Sequence, residues 1–574
     1  MVLGYLYRVI KNEIEEDLFM LKEILFYHAE QTKQMYTDKK QQNKLKKKIK
    51  NVQSYEEWKI YAQQLDNLKR IKQWKEKAVS KDYDYKYIIN LKNKLRSKRH
   101  GSNSQQNVLD LVDLIRSHPF KNIANILNPS LYQQCYFGTK QVIHDFINEL
   151  DLSIKYIAQS QHLDLSEKLE FFAEVRHALG RTAMIFSGGA FLGLYHAGVA
   201  KSLFEQNLLP RILAGSSAGS ITAAFIGTTK YEDLGNYFDR EQRKINYSAF
   251  LQRDPRNSAF RKIIRFLKEG YFMDMNIYKK FLRDNLGDKT FQEAFDDTGF
   301  ILNITVTGAG RHTQDRVLNY LTAPNVVIWS AVCCSCSLPF VFPPSDLYFK
   351  NRNGQLIKYI EDSKFIDGSI AFDIPHNQLS EQFNVSTTIV SQVNPHVVPL
   401  LNHTEKIRYK NKLIVKILKI LEFIKMLISQ EVRLRFKQLN SLGILPLSLV
   451  TAVRVMDQNY EGDITVWPIP KLTDYLNLLK NPTSQEFIEP YTAAGARMTY
   501  GKIPHIEILT KFERVIEENY QNIKQLYYQQ QGIQQNPQGC LKEIEDEENE
   551  FKQKKIQQNI PRIQSFQNPT RKDI

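Results

Sequence analysis

Three kinds of hydrophobic spacing follow one another along the chain. From Leu3 through Leu6, Ile10, Ile14, Leu18, Leu21 and Leu25, apolar residues recur at helical spacing, and the stretch closes in KQQNKLKKKIKN. This predicts an amphipathic basic helix over residues 1–52. Such a segment reads either as a solvated helix or as a surface-binding one, because clustered lysines beside an apolar stripe favour anionic headgroups. Residues 53–165 keep apolar positions three and four apart in EEWKIYAQQLDNLKRI, LVDLIRSHPFKNIANIL and QVIHDFINELDLSIKYIA, punctuated at Asn128-Pro129 and Phe137-Gly138. They form an all-helical region that carries no chemical constellation of its own.

At Thr182 the period shortens. TAMIF is a compact apolar run, SGGAFLG a glycine loop, LYHAGVAKSLFEQ a helix pattern and LPRILAG a second apolar run. Strand, loop, helix and strand in that order predict a parallel βαβ unit. With further buried-strand candidates at FILNITVTG and STTIVSQV, residues 176–400 read as an α/β domain, a doubly wound and mostly parallel sheet with helices on both faces. Residues 401–521 read as a helical extension. Within it KLIVKILKILEFIKMLISQ, Lys412 to Gln430, places Lys412, Lys416 and Lys419 on a very apolar helix, fit either for a core or for a lipid interface. The Gln-rich segment 522–574 is expected to be largely disordered.

Composition bounds these readings. At 574 residues with 42% hydrophobic and 24% charged positions, the chain is a multi-domain globular protein. No run of about 18 uncharged apolar residues suggests a bilayer span, and the start MVLGYLYRVIKNEIEEDLF lacks a signal-peptide core, so an intracellular location is expected. Lys+Arg exceed Asp+Glu by 78 − 62 = 16, which draws the protein to anionic surfaces. No aromatic-and-basic motif for nucleic acid accompanies that charge, so no nucleic-acid partner is expected. Cys135, Cys333, Cys334, Cys336 and Cys540 give no disulfide framework. Cys333-Cys334-x-Cys336 has no second Cys/His pair to complete a zinc site, so neither metal nor cofactor is expected and the thiols are assigned to packing.

Candidate chemistry gathers in three stretches. Gly215-x-Ser217-x-Gly219 lies between a predicted strand and helix, where a serine at a sharp turn projects its hydroxyl and its neighbours must be small. Ser216 is read as one such small neighbour. Ser187 to Gly193, SGGAFLG, exposes backbone N–H groups before a helix, suiting an oxyanion or a phosphate. A dinucleotide fingerprint is the rival reading, but Gly188-Gly189-x-x-x-Gly193 is not GxGxxG. Asp367-Gly368-Ser369 ends a short apolar run; alone it is a turn, and it gains interest only from the other two. His376 and His396 follow Asp367 in the chain order of a Ser-His-Asp triad, although both sit in Pro-His contexts that suit loops or packing; His196 reads as a packed core histidine.

A glycine-rich loop ahead of GxSxG, with Asp-Gly far downstream and no required histidine, resembles the patatin-like phospholipase family. FSGGAFLGLYHAGVAKSL, ILAGSSAGSI, VVIWSAVCCSCSLPFVF, DGSIAFDIPHNQLSEQFNVSTTIVSQVNPHVVPLL and EGDITVWPIP are similar to its intracellular triacylglycerol lipase branch. YEEWKIYAQQLDNLKRIKQWK and NPSLYQQCYFGTKQVIHDFI are similar to the helical domain preceding the catalytic domain in that branch. The resemblance implies a Ser-Asp dyad, with Ser217 as nucleophile and Asp367 as base. It also implies an oxyanion hole of Gly188, Gly189 and Ala190, with Gly193, Gly215, Gly219 and Gly368 supporting the motifs. It departs from the family pattern in Ala190 for a third glycine, Leu192 for a common basic residue, and Ser369 after Asp-Gly. Ala190 is expected at negative φ, because a Cβ is costly in left-handed geometry. Leu192 removes a charge and leans the substrate toward neutral lipid. The implied activity is hydrolysis of triacylglycerol to diacylglycerol and fatty acid at a lipid droplet or endomembrane surface. A phospholipase, lysophospholipase or transacylase is the alternative within the family, and a non-catalytic lipid-surface protein the alternative outside it.

Overall fold

The computed structural model describes residues 2–101, 104–118, 121–251, 258–309, 314–361, 363–399, 458–531 and scattered positions from 401 to 442. Lys412, Lys416, Lys419 and most of the helix expected at 412–430 lie outside the described residues, as do residues 532–574. Among the described residues no helix is long and apolar enough to cross a membrane.

Seven strands form the main sheet: β1 (Arg181–Phe186), β2 (Ile212–Gly215), β3 (Ile301–Gly308), β4 (Arg316–Leu318), β7 (Phe365–Asp367), β8 (Val385–Ser391) and β9 (Ile464–Val466); β5 (Tyr348–Lys350) and β6 (Leu356–Lys358) make a separate hairpin. The order is β4-β3-β2-β1-β8-β9. Strands β3, β2, β1, β8 and β9 run parallel, while β4 and β7 pair with β3 antiparallel. β1 sits in the middle, and Ala183 to Phe186 are fully buried, as a strand covered on both faces requires. The sheet does not close at Leu400. Its edge strand β9 comes from the segment expected to be a helical extension, because Ile464 to Val466 pair in parallel with Ile389 to Ser391 and bury their side chains there.

Val306 of β3 fixes the geometry of everything that follows. It pairs with Arg316 of β4 on one edge and with Asp367 of β7 on the other. That second edge is already lined by β2, which ends where Gly215 pairs with Ile304. β2 and β7 therefore meet head to head along one edge of β3, with Thr305 opposite the gap.

The helical region divides its loyalties. Helices Tyr85–His100, Gln105–Arg116, Gln141–Gln159 and Leu165–Leu179 share one core with the C-terminal helix Ile503–Gln530, through Ile508, Phe512, Val515, Ile516, Tyr520 and Ile523. Asp164 and Glu167 form a capping box that starts the last of the four helices. Helix Tyr55–Leu68 instead packs into the core of the sheet, where Tyr55 and Trp58 lie against Tyr500. The C-terminal helix runs through position 522 to Gln530 with Ile523 and Lys524 buried, so order there extends past the expected start of the tail. The N-terminal helix spans Val2–Ile49, and between Leu18 and Tyr36 its large apolar side chains remain exposed.

Candidate active site

β2 delivers the chain into a turn that its own residues pin. Ser217 takes φ 49° and ψ −124° just before the helix Ala218–Gly227, a backbone state that costs a non-glycine residue about 1–3 kcal/mol. Its N–H donates to Ser335 Oγ at 2.9 Å, and the preceding N–H of Ser216 donates to the Phe186 carbonyl at 3.1 Å. Ser216 is more than a small neighbour. Its buried hydroxyl lies 2.7 Å from Thr305 Oγ1 and donates to the carbonyls of Phe372 at 2.8 Å and Asp373 at 2.9 Å, binding the turn to the strand beneath and to the Asp-Gly segment. Gly215 and Gly219 flank it as expected; a Cβ on Gly219 would run into the Phe186 carbonyl, so helix and strand could not approach. The helix N-terminus faces the turn, a setting that favours negative charge.

Asp367 ends β7 at the head of that gap, held by its N–H to the Ser337 carbonyl at 3.0 Å. Gly368 lies so close over Thr305 that any side chain there would strike its carbonyl. The Asp367 side chain is fully buried. Oδ1 accepts from Ser369 N at 2.9 Å and Ser369 Oγ at 2.7 Å, while Oδ2 has no partner among the described residues. Burial raises the carboxyl pKa to about 6, against the opposing pull of the nearby Ser217 and Ser369 hydroxyls. Ser217 thus stands close enough to steady the ionised carboxylate without a formed hydrogen bond.

The glycine loop follows β1. Gly189 N–H and Ala190 N–H have no hydrogen-bond partner among the described residues, whereas Gly188 N–H donates to Asp373 Oδ1 at 2.7 Å. Gly188 is therefore not free to bind an oxyanion, and the expected trio of donors reduces to two. Ala190 has φ 50°, not the negative value expected. The turn that presents its N–H demands left-handed geometry, and the chain carries the cost of a Cβ there. Leu192 is fully buried with Phe191, Tyr195 and Val393 and is not itself among the cavity-lining residues. Gly193 sits against Ala218 where loop and elbow helix meet.

Asp373 is the residue that sequence reasoning missed. Its side chain accepts from Gly188 N and from Asn394 Nδ2 at 2.6 Å, and its carbonyl receives Ser216 Oγ. One buried residue thus ties the glycine loop to the elbow. Burial raises its pKa to about 7, with Asp367 adding to the rise. Only a second acid six positions after Asp367 hinted at it, and nothing local says where that acid points.

The histidines separate cleanly. His196 is buried, bonded to Ser391 Oγ at 2.7 Å and to the Ser187 carbonyl at 3.0 Å, and burial lowers its pKa to about 4. It holds the glycine loop as a neutral ring. His376 is exposed at the start of a helix. His396 lines the same cavity as Ser217, edge-on to Tyr460 at 5.2 Å, but among the described residues no histidine is bonded to the Asp367 carboxylate. A triad lacks its second link here. Cys333, Cys334 and Cys336 are buried with their thiols pushed up by burial; Cys336 Sγ donates to the Ser217 carbonyl at 3.2 Å, a packing role in the elbow.

Ser217, Asp367, Gly189 and Ala190 line one cavity of about 530 Å³ whose other walls include Phe225, Tyr247, Phe250, Phe281, Val341 and Phe342. It offers an apolar chamber with convergent polar groups at one end.

The patatin-like phospholipase family matches residues 184–380, and a domain of unknown function (DUF3336) matches residues 35–177. "Triacylglycerol lipase ptl3" of Schizosaccharomyces pombe is 34% identical over 80% of this chain and 94% of its own length. "Triacylglycerol lipase 4" of Saccharomyces cerevisiae is 37% identical over 80% of this chain and 50% of its own. "Triacylglycerol lipase SDP1L" of Arabidopsis thaliana is 33% identical over 81% of this chain and 57% of its own. The chain thus spans about half the length of the last two. A match through nearly the whole of the first, on a sheet that brings an elbow serine, a buried aspartate and a glycine loop to one cavity, makes this chain a member of the patatin-like phospholipase family.

Proposed function

We propose that the protein is a serine lipid acyl hydrolase that cleaves triacylglycerol to diacylglycerol and fatty acid at the surface of a lipid droplet or endomembrane. The observation that carries this reading is the buried Asp367 carboxylate, with one oxygen unpartnered, beside Ser217 at the end of an apolar cavity. The names of the relatives point to triacylglycerol as substrate.

In this mechanism Asp367 takes the Ser217 proton as Oγ attacks the ester carbonyl, and the apolar walls hold the acyl chain. Gly189 and Ala190 N–H stabilise the oxyanion. Collapse breaks the acyl C–O bond, and the leaving glyceride oxygen takes its proton from Asp367. Water then attacks the acyl-Ser217 ester, giving its proton to Asp367. The second oxyanion collapses to release fatty acid, and Ser217 recovers its proton. A base with a pKa near 6 suits this shuttle better than an exposed aspartate, since it is ionised at neutral pH yet holds a proton long enough to return it.

The test is a panel of tri-, di- and phosphoglycerides incubated with purified protein and with Ser217→Ala. Triolein hydrolysis is expected for the native protein and a loss of at least about a thousandfold for the variant. Equal rates for the two would remove Ser217 as nucleophile, and faster release from phosphatidylcholine than from triolein would make the enzyme a phospholipase.

A further inference from the structure

Around the cavity mouth three separate segments turn large apolar side chains to solvent. Phe340 is 66% exposed between Leu338 and Val341, both of which line the cavity. Leu472 and Leu476, 78% and 81% exposed, lie on the short helix that leads directly into the lining residues Leu478 and Leu479. Leu267, 78% exposed, lies on the helix Ser258–Glu269.

Hydrogen bonds and one ring stack join these pieces into one rim. Lys262 Nζ on that last helix donates to the Leu479 carbonyl at 2.5 Å. Phe266 stacks on Phe272 at 4.3 Å, and Phe272 N donates to the Phe340 carbonyl at 3.0 Å. Met273 N donates to the Val341 carbonyl at 2.9 Å. Phe340 itself is held at φ 67°, a state bulky residues avoid, and its ring gains no burial in return. The helix Ser258–Glu269 carries Arg261, Lys262, Arg265 and Lys268 against the single acid Glu269, and Lys471 and Lys480 flank the segment that holds Leu472, Leu476 and Leu479. Arg265 is paired with Glu269 and Asp274. Exposed apolar side chains bordered by basic ones are the composition that seats in an anionic phospholipid interface.

We infer that this rim docks the protein, mouth down, on the anionic phospholipid surface of a lipid aggregate, so that acyl chains pass from that surface into the cavity without crossing water. The inference rests on the lipid-hydrolase reading and adds the face that meets the lipid. The exposed stripe of the N-terminal helix is the rival surface, but nothing ties it to the cavity.

The quadruple variant Leu267→Ser/Phe340→Asn/Leu472→Ser/Leu476→Ser changes no cavity-lining residue, and its thermal melt is expected to match that of the native protein. It should hydrolyse soluble p-nitrophenyl butyrate at the native rate. Its flotation with mixed phosphatidylcholine–phosphatidylserine vesicles, and its hydrolysis of triolein emulsified with the same lipids, should both fall by about tenfold or more. Native flotation and native triolein turnover by the variant would overturn the docking face, and binding would then belong to another surface such as the N-terminal helix. Equal native binding to phosphatidylcholine alone would overturn the anionic preference. If the native protein hydrolyses neither ester, the hydrolase reading fails by itself, and the flotation comparison still decides the rim.

Discussion

Two buried carboxylates set how single residues at this site behave with pH. Asp367 has its pKa raised from 3.8 to about 6 by burial, so it is fully a base only above that value. kcat/KM on a soluble ester is expected to rise about tenfold per pH unit up to pH 6 and then level off. The same shift has a cost in stability. The folded protein holds the Asp367 proton more tightly than the unfolded chain, so its stabilising contribution is complete below about pH 4 and is lost as pH rises through 6. Asp367→Asn should therefore match the native protein at pH 4 in urea unfolding and exceed it at pH 8 by up to about 3 kcal/mol, while losing hydrolysis. A variant less stable than native at pH 8 would mean that the carboxylate is better solvated than its burial implies. Asp373 acts at one remove, through Gly188 and Ser216. Asp373→Ala should lower kcat by about tenfold or more with little change in KM, and Asp373→Asn, which keeps an oxygen for Gly188 N–H, should recover most of the rate. At this scale the sequence was legible where spacing carries meaning. Gly215-x-Ser217-x-Gly219, the glycine loop and Asp-Gly are local patterns. The roles of Ser216 and Asp373 were not legible, because each bonds to residues far away in sequence, and the φ of Ala190 answers to the loop it closes.

Among the elements, the C-terminal helix Ile503–Gln530 does the most joining. It fills the helical core with Phe512 and Ile516 and reaches the sheet through Glu513, which accepts from Thr182 N at 2.9 Å and from the Thr182 hydroxyl. Glu517 accepts from Arg176 Nε at 2.5 Å on the neighbouring helix. Phe512→Ala is expected to cost about 3 kcal/mol, and urea unfolding followed by circular dichroism and tryptophan fluorescence should still show one shared transition. Separate transitions by the two probes would mean that the helical unit and the sheet unfold independently. The reading of residues 401–521 as a helical extension takes in this helix as far as the start of the Gln-rich segment at 522. Helical periodicity could not reveal that Tyr55 and Trp58 leave the helical unit for the sheet core, nor that β9 returns to the sheet from beyond Leu400. Three residues of strand give too short an alternation to stand out, and both placements depend on partners remote in sequence, Tyr500 for the first and Ile389 to Ser391 for the second.

For the whole molecule, the excess of 16 positive charges acts over about 10 Å at 0.1 M salt and about 3 Å at 1 M. Association with anionic vesicles should slow steeply between those salt concentrations, while hydrolysis of a neutral soluble ester should not change. Stopped-flow binding separates the two, and a salt-independent association rate would leave the basic surface without a part in capture. Domain class and chain order were legible at this scale because the change from helical to strand period is abrupt at Thr182. The meeting of β2 and β7 on β3 has a further consequence for how such a chain tolerates change. The distance between serine and aspartate is set by register on a single strand, not by the length of chain between them. Residues inserted into the β5–β6 hairpin would lengthen the path from Ser217 to Asp367 and leave the pair where it is. One residue inserted within Phe365–Asp367 would turn the carboxylate to the opposite face of the sheet and abolish the proposed hydrolysis with the composition almost untouched.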